Sequence, residues 1–462
     1  MTASTSRPPA SARLAALPWN RFHTIIVLLF GMGWAMDAFE VTLIGTVLGA
    51  LRQRFDLGSD AMSLLLGAWF AGLMLGAAGF GVLADRHGRR RVFLASLVLY
   101  GISTMAAAFA PGLWALLALR LLAGIGVGAE YSAINAAIAE LVPSNARGKA
   151  SAVVLNFWPI GSLVASLLAW LVLSALPPEL GWRVVFAFGG LIALSAAWLR
   201  RHLPESPRWL EANGRADAAG ALVTGIEAGL TRLPAPDPVP FRPRARRHAN
   251  AFVTLLRRYP GRLALGAVLD FAEASGYYGL FAFLPLVVLP ALHLAPARLP
   301  LFYLAGSLGP LVGGVAAALL LDRWGRQRTV GLFYLATALG TVAFAYATGL
   351  GAGAIMLGFA LVNLLATGSW IAAYPTFSEL FPTSLRASGI GASVAIGRIG
   401  AIISPFLVGS LGAHSMAAAL WLLAGFWLLG AGAIAVWHRM GGIEARGLAL
   451  EAIAPEESAS HA

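Results

Sequence analysis

The chain has 462 residues, of which 58% are hydrophobic and only 12% are charged, and its net charge is +12. An ordinary soluble domain carries about 25% charged residues, so this composition excludes a water-exposed globular protein. The absence of cysteine excludes disulfides, thiolate metal sites and a cysteine nucleophile. Apolar runs of about 20 residues span a bilayer as helices, and such runs recur along almost the whole chain. The composition therefore predicts an all-α membrane protein.

The N-terminal segment, residues 1–22, contains three arginines, three prolines and no acidic residue. That composition is compatible with a signal or transit sequence. The apolar run from His23 to Leu51 is too long for the apolar part of a signal peptide, and no obvious cleavage site ends it. We therefore predict a cytoplasmic tail followed by an uncleaved first helix.

Twelve apolar runs follow the tail in two groups of six. The predicted helices span residues 23–51, 60–84, 91–110, 113–141, 150–176, 183–201, 263–291, 298–321, 329–348, 353–380, 386–411 and 415–438. The two predicted bundles, 23–201 and 263–438, are joined by a polar linker, 202–262, in which Ala216 to Leu230 are expected to form a surface helix. A short cytoplasmic tail, 439–462, of mixed charge is predicted to be disordered.

The positive charges lie on one side of this topology. With both termini cytoplasmic, 27 of the 33 lysine and arginine residues fall on the cytoplasmic side and 4 on the outer side. Cytoplasmic loops of membrane proteins are rich in lysine and arginine, so the distribution predicts the orientation. The net charge therefore reflects topology, and no nucleic-acid partner is predicted.

A short basic loop between the second and third helices is the most distinctive motif. It reads GVLADRHGRRR and contains Gly81, Asp85, Arg86, Gly88, Arg89 and Arg90. Gly88 permits a tight reversal because a residue without a Cβ can adopt a positive φ. A weaker copy, DRWGRQR, contains Asp322, Arg323, Gly325 and Arg326 and begins 237 residues after Asp85. The repeat predicts two related halves.

Several carboxylates interrupt the apolar runs, where a charge at the bilayer centre costs about 2.5–3.5 kcal/mol on insertion scales. The proton-coupling candidates are Asp37, Glu40, Glu130, Asp270 and Glu273. Asp37 and Glu40 are three residues apart and share one helix face, so their repulsion favours a proton on one of them. The alternative is that arginines of neighbouring helices neutralise them permanently.

Polar and aromatic residues at helical spacing give the solute-binding candidates. They are Arg120, Tyr131, Asn135, Asn156, Trp158, Tyr277, Tyr278, Asn363, Trp370, Tyr374 and Arg398. Asp270, Glu273 and Tyr277 form one stripe that is expected to line a cavity. Arg120 is expected to hold a solute carboxylate or Asp37, and Arg398 an anionic group or an acid across the cavity. The alternatives are structural ion pairs and aromatic packing. In the fourth helix, Gly124, Gly126 and Gly128 favour close helix approach.

No catalytic chemistry is predicted. The eight histidines do not cluster, and the chain shows no metal-ligand spacing, no phosphate-binding loop and no nucleophile–base set. We therefore expect no catalytic residue, no metal and no cofactor, with a proton gradient as the energy source.

Together these motifs resemble those of the major facilitator superfamily over nearly the whole chain. The first basic loop is similar to the superfamily signature G-x-x-x-D-R-x-G-R-R, and the second copy differs by Ala318 in place of its first glycine. Arg120 to Gly128, followed by Glu140, Pro143 and Arg147, resembles a pattern of the sugar-porter-like branch. Residues 204–208, PESPR, match the motif that this branch carries after helix six. Glu379 and Arg386 repeat the spacing of Glu140 and Arg147 in the second half.

The resemblance implies two six-helix bundles, related by a pseudo-two-fold axis, that rock about a central solute site. It also implies a monomer that works in a lipid bilayer. Charged residues of the signature loops would form ion pairs between the bundles that break as the protein changes state. By this resemblance the gating candidates are Asp85, Arg89, Glu140, Arg147, Glu379 and Arg386, with simple anchoring at the cytoplasmic interface as the alternative.

Departures from the sugar-porter pattern suggest another solute. Asp270 and Glu273 stand before Tyr277 and Tyr278, where sugar porters carry paired glutamines, and the closing PETKG motif is absent. Asp37-x-x-Glu40 resembles the acidic pair of bacterial aromatic-acid–proton symporters. We therefore expect proton-coupled uptake of a small organic acid, such as an aromatic or nicotinate-like acid. Alternatives are a sugar or polyol carrier, an exporter, a solute sensor and a channel. Arginine-rich composition suggests a bacterial inner membrane.

Overall fold

The computed structural model of the chain describes residues 8–143, 146–200, 203–229, 251–381 and 385–442. Twelve long helices run through these ranges: α1 Arg21–Phe55, α2 Ser59–His87, α3 Arg89–Ala107, α4 Leu113–Leu141, α5 Trp158–Ala175, α6 Pro178–Arg200, α7 Pro260–Phe283, α8 Leu299–Trp324, α9 Arg326–Ala347, α10 Ala352–Leu380, α11 Arg386–Gly412 and α12 Met416–Arg439. Shorter helical segments are Ala10–Ala16, Arg147–Leu155, Pro207–Ala212, Ala216–Glu227, Ala251–Arg258, Leu284–Val288, Leu289–Ala291, Pro296–Arg298 and Thr348–Leu350. The predicted all-α membrane fold is confirmed.

Apolarity follows the predicted spans. Ten of the described helical segments are long and apolar enough to cross a membrane, and Leu113–Gly128 is a shorter apolar helix within α4. The remaining long helix, α3, begins with three arginines and buries Ser96, Ser103 and Thr104. Neighbouring helices shield these polar side chains from lipid. The low mean hydropathy of α3 is therefore compatible with a helix that spans the membrane.

The two sets of six helices repeat one packing pattern. In the first set, α1 packs on α5 and α6, α4 on α2 and α3, and α3 on α6. In the second set, α7 packs on α11 and α12, α10 on α8 and α9, and α9 on α12. The main contacts between the sets are α2 with α11 and α5 with α8, which are equivalent pairs in this pattern. The halves suggested by the repeated basic loop therefore have the same architecture.

Two predicted helices are interrupted. The fifth was predicted as one run, but the segment Arg147–Leu155 ends before Asn156, and α5 starts again at Trp158 with Pro159 in its first turn. A proline lacks the backbone donor that helix continuation requires and disfavours helical geometry in the residue before it. The seventh continues beyond α7 through a π-helical turn, Leu284–Val288, which contains Pro285.

Glycines bring the helices close together, as predicted for α4. A Cβ on Gly124 or Gly128 would collide with the backbone oxygens of Trp69 and Leu73 on α2. The same holds for Gly161 on α5, which lies against the backbone oxygen of Ala35 on α1. Small residues at such positions permit the dense packing that drives helix association in lipid.

We call the end of the bundle that holds Gly88 and Gly325 the basic end, and the opposite end the distal end. At the distal end the two halves are in contact. Gly45 of α1 lies against Phe281 and Tyr303, and Gly49 lies against Leu289. The described residues therefore close the space between the halves at the distal end.

The N-terminal tail contains a buried structure that its sequence did not reveal. The helix Ala10–Ala16 packs on the linker helices Pro207–Ala212 and Ala216–Glu227. Arg13 forms an ion pair with Glu227, and its Nε donates to Glu227 Oε1 at 2.8 Å. Ser11 donates from its backbone N to Glu211 Oε1 at 3.1 Å. The tail helix thus packs on the first two of the three short helices in the described part of the linker.

Candidate functional site

A narrow, partly open cavity of about 270 Å³ lies between the two halves. Polar and aromatic side chains from both halves line it, including Trp158, Ser162, Tyr277, Tyr303, Ser307 and Asn363. Three of these, Trp158, Tyr277 and Asn363, are binding candidates predicted from the sequence. Asp270 and Glu273, predicted to share the cavity stripe of Tyr277, lie outside this lining.

Trp158 lines the cavity, and two further tryptophans pack against it. We call the three residues the tryptophan cluster: Trp34, Trp158 and Trp370. Trp34 of α1 stacks on Trp370 of α10 with ring centroids 5.9 Å apart and an interplanar angle of 14°. Trp158 of α5 packs edge-on against Trp370 at 5.6 Å. The cluster joins the halves, because α1 and α5 belong to the first and α10 to the second. Aromatic pairs of this kind contribute about 0.5–1.5 kcal/mol beyond their area burial.

A direct hydrogen bond also crosses between the halves. Trp158 Nε1 donates to Tyr277 Oη at 2.9 Å. Next to it, the side-chain oxygen of Asn156 lies against Gly314 of α8. The break that Pro159 introduces into the fifth helix thus places Asn156 and Trp158 at the interface. Asn363 donates from Nδ2 to the backbone oxygen of Phe359 at 3.0 Å.

An ion pair is sealed inside the first half. Arg120 Nη1 of α4 donates to Glu40 Oε1 of α1 at 2.5 Å, and Thr104 Oγ1 of α3 donates to the same oxygen at 2.9 Å. All three side chains are fully buried, and the guanidinium also lies 5.8 Å from the Phe186 ring centroid. The sequence offered a solute carboxylate or Asp37 as the partner of Arg120, with a structural ion pair as the alternative. The structure selects Glu40, one helical turn further along α1, while Asp37 is buried nearby.

A second charged cluster lies inside the second half and contains Asp270, Glu273 and Arg398. All three side chains are buried, and Arg398 of α11 interacts electrostatically with both carboxylates of α7. Asp270 packs against Gly397, the residue before Arg398. Arg398 lies 5.5 Å from the ring centroid of Tyr278 and also interacts electrostatically with Tyr374. The predicted acid across the cavity is thus in the same half as Arg398.

Family-level similarity agrees with this architecture. The family model described as "Major Facilitator Superfamily" matches residues 24–405, most of the chain. The chain belongs to the major facilitator superfamily. It is therefore a membrane transporter and not an enzyme, as the sequence predicted.

Relatives of this transporter include proteins named for small organic solutes. The chain is 32% identical over 400 residues to "Niacin transporter NiaP" of Acinetobacter baylyi, covering 86% of this chain and 89% of the relative. It is 30% identical over 431 residues to "Probable 4-methylmuconolactone transporter" of Cupriavidus pinatubonensis, covering 93% and 92%. Among solved structures, a partially occluded inward-open xylose transporter XylE from E. coli matches with a TM-score of 0.73 at 21% identity, covering 93% of this chain and all of that one. This last likeness concerns the fold.

The first signature loop of the transporter confirms the positive φ predicted for Gly88, and the second loop shows the same conformation at Gly325. Gly88 has φ 98° and Gly325 has φ 83°, and each precedes a helix, α3 and α9. The carboxylate of Glu205 occupies the space beside Gly88 and accepts a hydrogen bond from the backbone N of Arg90 at 3.3 Å. A carboxylate at a helix N-terminus is favourable because it meets unsatisfied N–H groups. Arg326 Nη1 donates to the Leu321 oxygen at 3.4 Å, Glu140 is partly buried, and Arg323 is exposed.

Several predicted site residues lie outside what the structure describes. Their side chains are not described, although their backbones lie in α2, α3, α4, α8, α10, α11 and the segment Arg147–Leu155. They are Gly81, Asp85, Arg86, Arg89, Glu130, Tyr131, Asn135, Arg147, Asp322, Glu379 and Arg386. The predicted gates between these residues therefore remain predictions.

Some residues of the site were missed from the sequence. Trp34 lies three residues before Asp37 and Ser162 lies four after Trp158, so helical spacing from a chosen candidate would have found both. No sequence pattern points to Thr104, because it meets Glu40 only through a hydrogen bond between residues far apart in the chain. Among the described residues, no three histidine or acidic side chains converge as a metal site.

Proposed function

We propose that this transporter imports a small organic acid together with protons by alternating access. The observation that carries the proposal is an aromatic site between the halves with a buried arginine close to it. Arg398 interacts with Tyr374, which packs on Trp370 of the tryptophan cluster. The tryptophan cluster offers ring faces, and Arg398 offers a guanidinium. A planar aromatic acid has the complementary ring and carboxylate.

Aromatic recognition is supported by the composition of the cavity wall. Flat rings bind through offset stacking and edge contacts with other rings, and Trp158 and Tyr277 supply such surfaces in the lining. Ser162, Ser307 and Asn363 add a few polar groups. A pocket of apolar surface with few polar groups is typical of sites for small molecules.

Proton coupling is supported by the buried acids. Each half holds carboxylates against one arginine, Glu40 with Arg120 and the Asp270–Glu273 pair with Arg398. A carboxylate that alternates between an ion-paired and a protonated form links proton binding to the equilibrium between two conformations. Both clusters are therefore candidates for the coupling site.

The names of the relatives support the same solute class. A niacin transporter and a probable 4-methylmuconolactone transporter both match over more than four-fifths of this chain. We propose that the protein works as a monomer in a bacterial plasma membrane, with both termini and the basic end in the cytoplasm. The excess of lysine and arginine in the corresponding loops supports this orientation.

Uptake into proteoliposomes tests the proposal. Purified protein is reconstituted, and nicotinate, benzoate, an aliphatic acid and xylose are offered with and without an inward proton gradient. We expect saturable accumulation of an aromatic acid that requires the gradient and stops when an uncoupler is added. Protein-free liposomes serve as the control for passive entry of protonated acid.

Other outcomes would identify other functions. Gradient-independent entry of xylose, with no entry of the acids, would refute the proposal in favour of a sugar carrier. Loss of preloaded acid against an opposing gradient would indicate an exporter. Specific binding of an acid without any flux would indicate a sensor.

A further inference from the structure

The first helix of each half carries the same acidic pair. Residues 37–40 of α1 read DAFE, and residues 270–273 of α7 read DFAE. In both cases an aspartate and a glutamate three residues apart share one face of a helix. In both cases an arginine from another helix of the same half lies against the pair.

The two arginines come from helices that are not equivalent. Arg120 belongs to α4, whose counterpart in the repeated packing pattern is α10, whereas Arg398 belongs to α11, the counterpart of α5. The buried arginine thus occupies a different position in each half. This difference decides which cluster a solute between the halves can reach.

The first cluster is closed to a solute. Glu40, Arg120 and Thr104 have no exposed surface, and they come from α1, α4 and α3 of one half. The second cluster borders the interface instead. Tyr278, which lies beside Arg398, also packs on Phe70 of the first half with ring centroids 4.4 Å apart. Tyr374 packs on Trp370 of the tryptophan cluster at 5.5 Å.

The acids of the second cluster have incomplete hydrogen bonding. Both carboxylate oxygens of Asp270 and Oε2 of Glu273 are buried and accept no hydrogen bond within the described residues. Among the described residues, the ionisable groups that interact with this pair are Arg398, Tyr277, Tyr278 and Tyr334, and Tyr374 interacts with Arg398. Of these, Arg398 is the cation. Two ionised carboxylates beside one guanidinium would give the cluster a net negative charge, and a buried net charge is strongly unfavourable. The cluster is neutral when one of the two carboxylates carries a proton.

We infer that the carboxylate of the solute replaces an internal carboxylate at Arg398, and that the displaced Asp270–Glu273 pair then takes up one proton. A guanidinium presents parallel donors that match a carboxylate, so the exchange substitutes one such partner for another. The charges balance: one solute anion and one proton enter a cluster that is neutral before and after. The inference rests on the proposed function and assigns its anion site and its coupling protons to the second half.

Proton uptake during binding tests this exchange. The full-length protein in detergent and weak buffer is titrated with nicotinate while pH is followed, and affinity is measured by thermal stabilisation. We expect uptake of about one proton per nicotinate bound. Nicotinamide has the same ring without the carboxylate, so it should bind weakly and cause no proton uptake.

Variants locate the two groups. Arg398→Gln should weaken nicotinate binding by about tenfold or more, since charge-assisted hydrogen bonds are lost, and Arg398→Lys should restore part of it. Asp270→Asn/Glu273→Gln should still bind nicotinate but without proton uptake, because no internal carboxylate remains to be neutralised. Glu211→Gln is the matched control. Glu211 lies in the linker helix Pro207–Ala212, where it contacts Ser11 of the tail, so this variant should behave as the wild type.

Two results would overturn the inference without affecting the proposed function. Unchanged nicotinate affinity in folded Arg398→Gln would overturn the anion site. Proton uptake that persists in Asp270→Asn/Glu273→Gln, and is lost in Glu40→Gln/Arg120→Gln, would overturn the assignment to the second half. Both leave acid transport intact as a function. Failure of the wild type to bind or move any organic acid would refute the proposed function and this inference with it.

Discussion

At the residue scale, the most demanding groups are the two buried arginines, because each must be neutralised without water. Arg120 uses Glu40, and Arg398 lies between an acidic pair and two tyrosines. A buried pair contributes little net stability, but removing one partner leaves an uncompensated charge. Each buried arginine therefore requires an acidic side chain at the neighbouring position.

Glu40→Gln should lower the free energy of unfolding by about 3–5 kcal/mol, the usual effect of breaking a buried pair. Glu40→Gln/Arg120→Gln removes both charges and should recover a large part of that loss. Denaturant unfolding in detergent, followed by tryptophan fluorescence, measures both. If the single and double variants were equally unstable, the ion pair would not be the reason for the loss.

The hydrogen bond from Trp158 to Tyr277 gives a second prediction, because it joins the halves. Trp158→Phe and Tyr277→Phe each keep a ring while they remove the donor or the acceptor. In a double-mutant cycle we expect a coupling of about 0.5–1.5 kcal/mol in the free energy of unfolding. Additive losses would show that the bond is not formed in solution.

At the scale of elements, glycine positions determine how closely the helices approach. Gly124 and Gly128 of α4 lie against the backbone of α2, so even a methyl group has no space there. In contrast, Gly225 in the surface helix Ala216–Glu227 faces open space. The same substitution should therefore have opposite effects at the two kinds of site.

Gly128→Ala should destabilise the transporter, because α2 and α4 must separate to admit the Cβ. Gly225→Ala should stabilise its helix by about 0.5–1 kcal/mol, the usual gain of alanine over glycine in a helix. Thermal denaturation of the two purified variants provides the comparison. An unchanged melting temperature in Gly128→Ala would mean that the α2–α4 contact is looser than described.

At the scale of the whole molecule, transport requires the halves to separate at the distal end, where they are now in contact. Ser63 Oγ of α2 donates to the backbone oxygen of Pro405 on α11 at 3.2 Å. A Cβ on Gly409 would lie 3.3 Å from the same Oγ. The chain contains no cysteine, so a pair introduced here has no competitor.

Ser63→Cys/Gly409→Cys should form a disulfide in the described state, since the side-chain oxygen of Ser63 already lies 3.3 Å from the Cβ position of residue 409. The cross-link should stop solute uptake in proteoliposomes, and a reductant should restore it. Each single variant, treated with the same oxidant, is the control. Full transport by the cross-linked protein would contradict rocking of the halves about the central cavity.

The sequence alone determined the membrane fold, the twelve helices, the two related halves and the superfamily. These features depend on composition, on the length of apolar runs and on local conformation, as in the positive φ of Gly88 and Gly325. It also selected most of the polar residues of the site, because a polar residue in a lipid-facing run would be costly.

Only the tertiary structure decided the partners of those residues. Glu40 rather than Asp37 pairs with Arg120, Arg398 joins the acids of its own half, and Trp34 stacks on Trp370. Spacing along one helix shows which residues share a face, but not how that helix is rotated against its neighbours. That rotation is set by close contacts such as Gly161 on Ala35, which form between residues far apart in the chain.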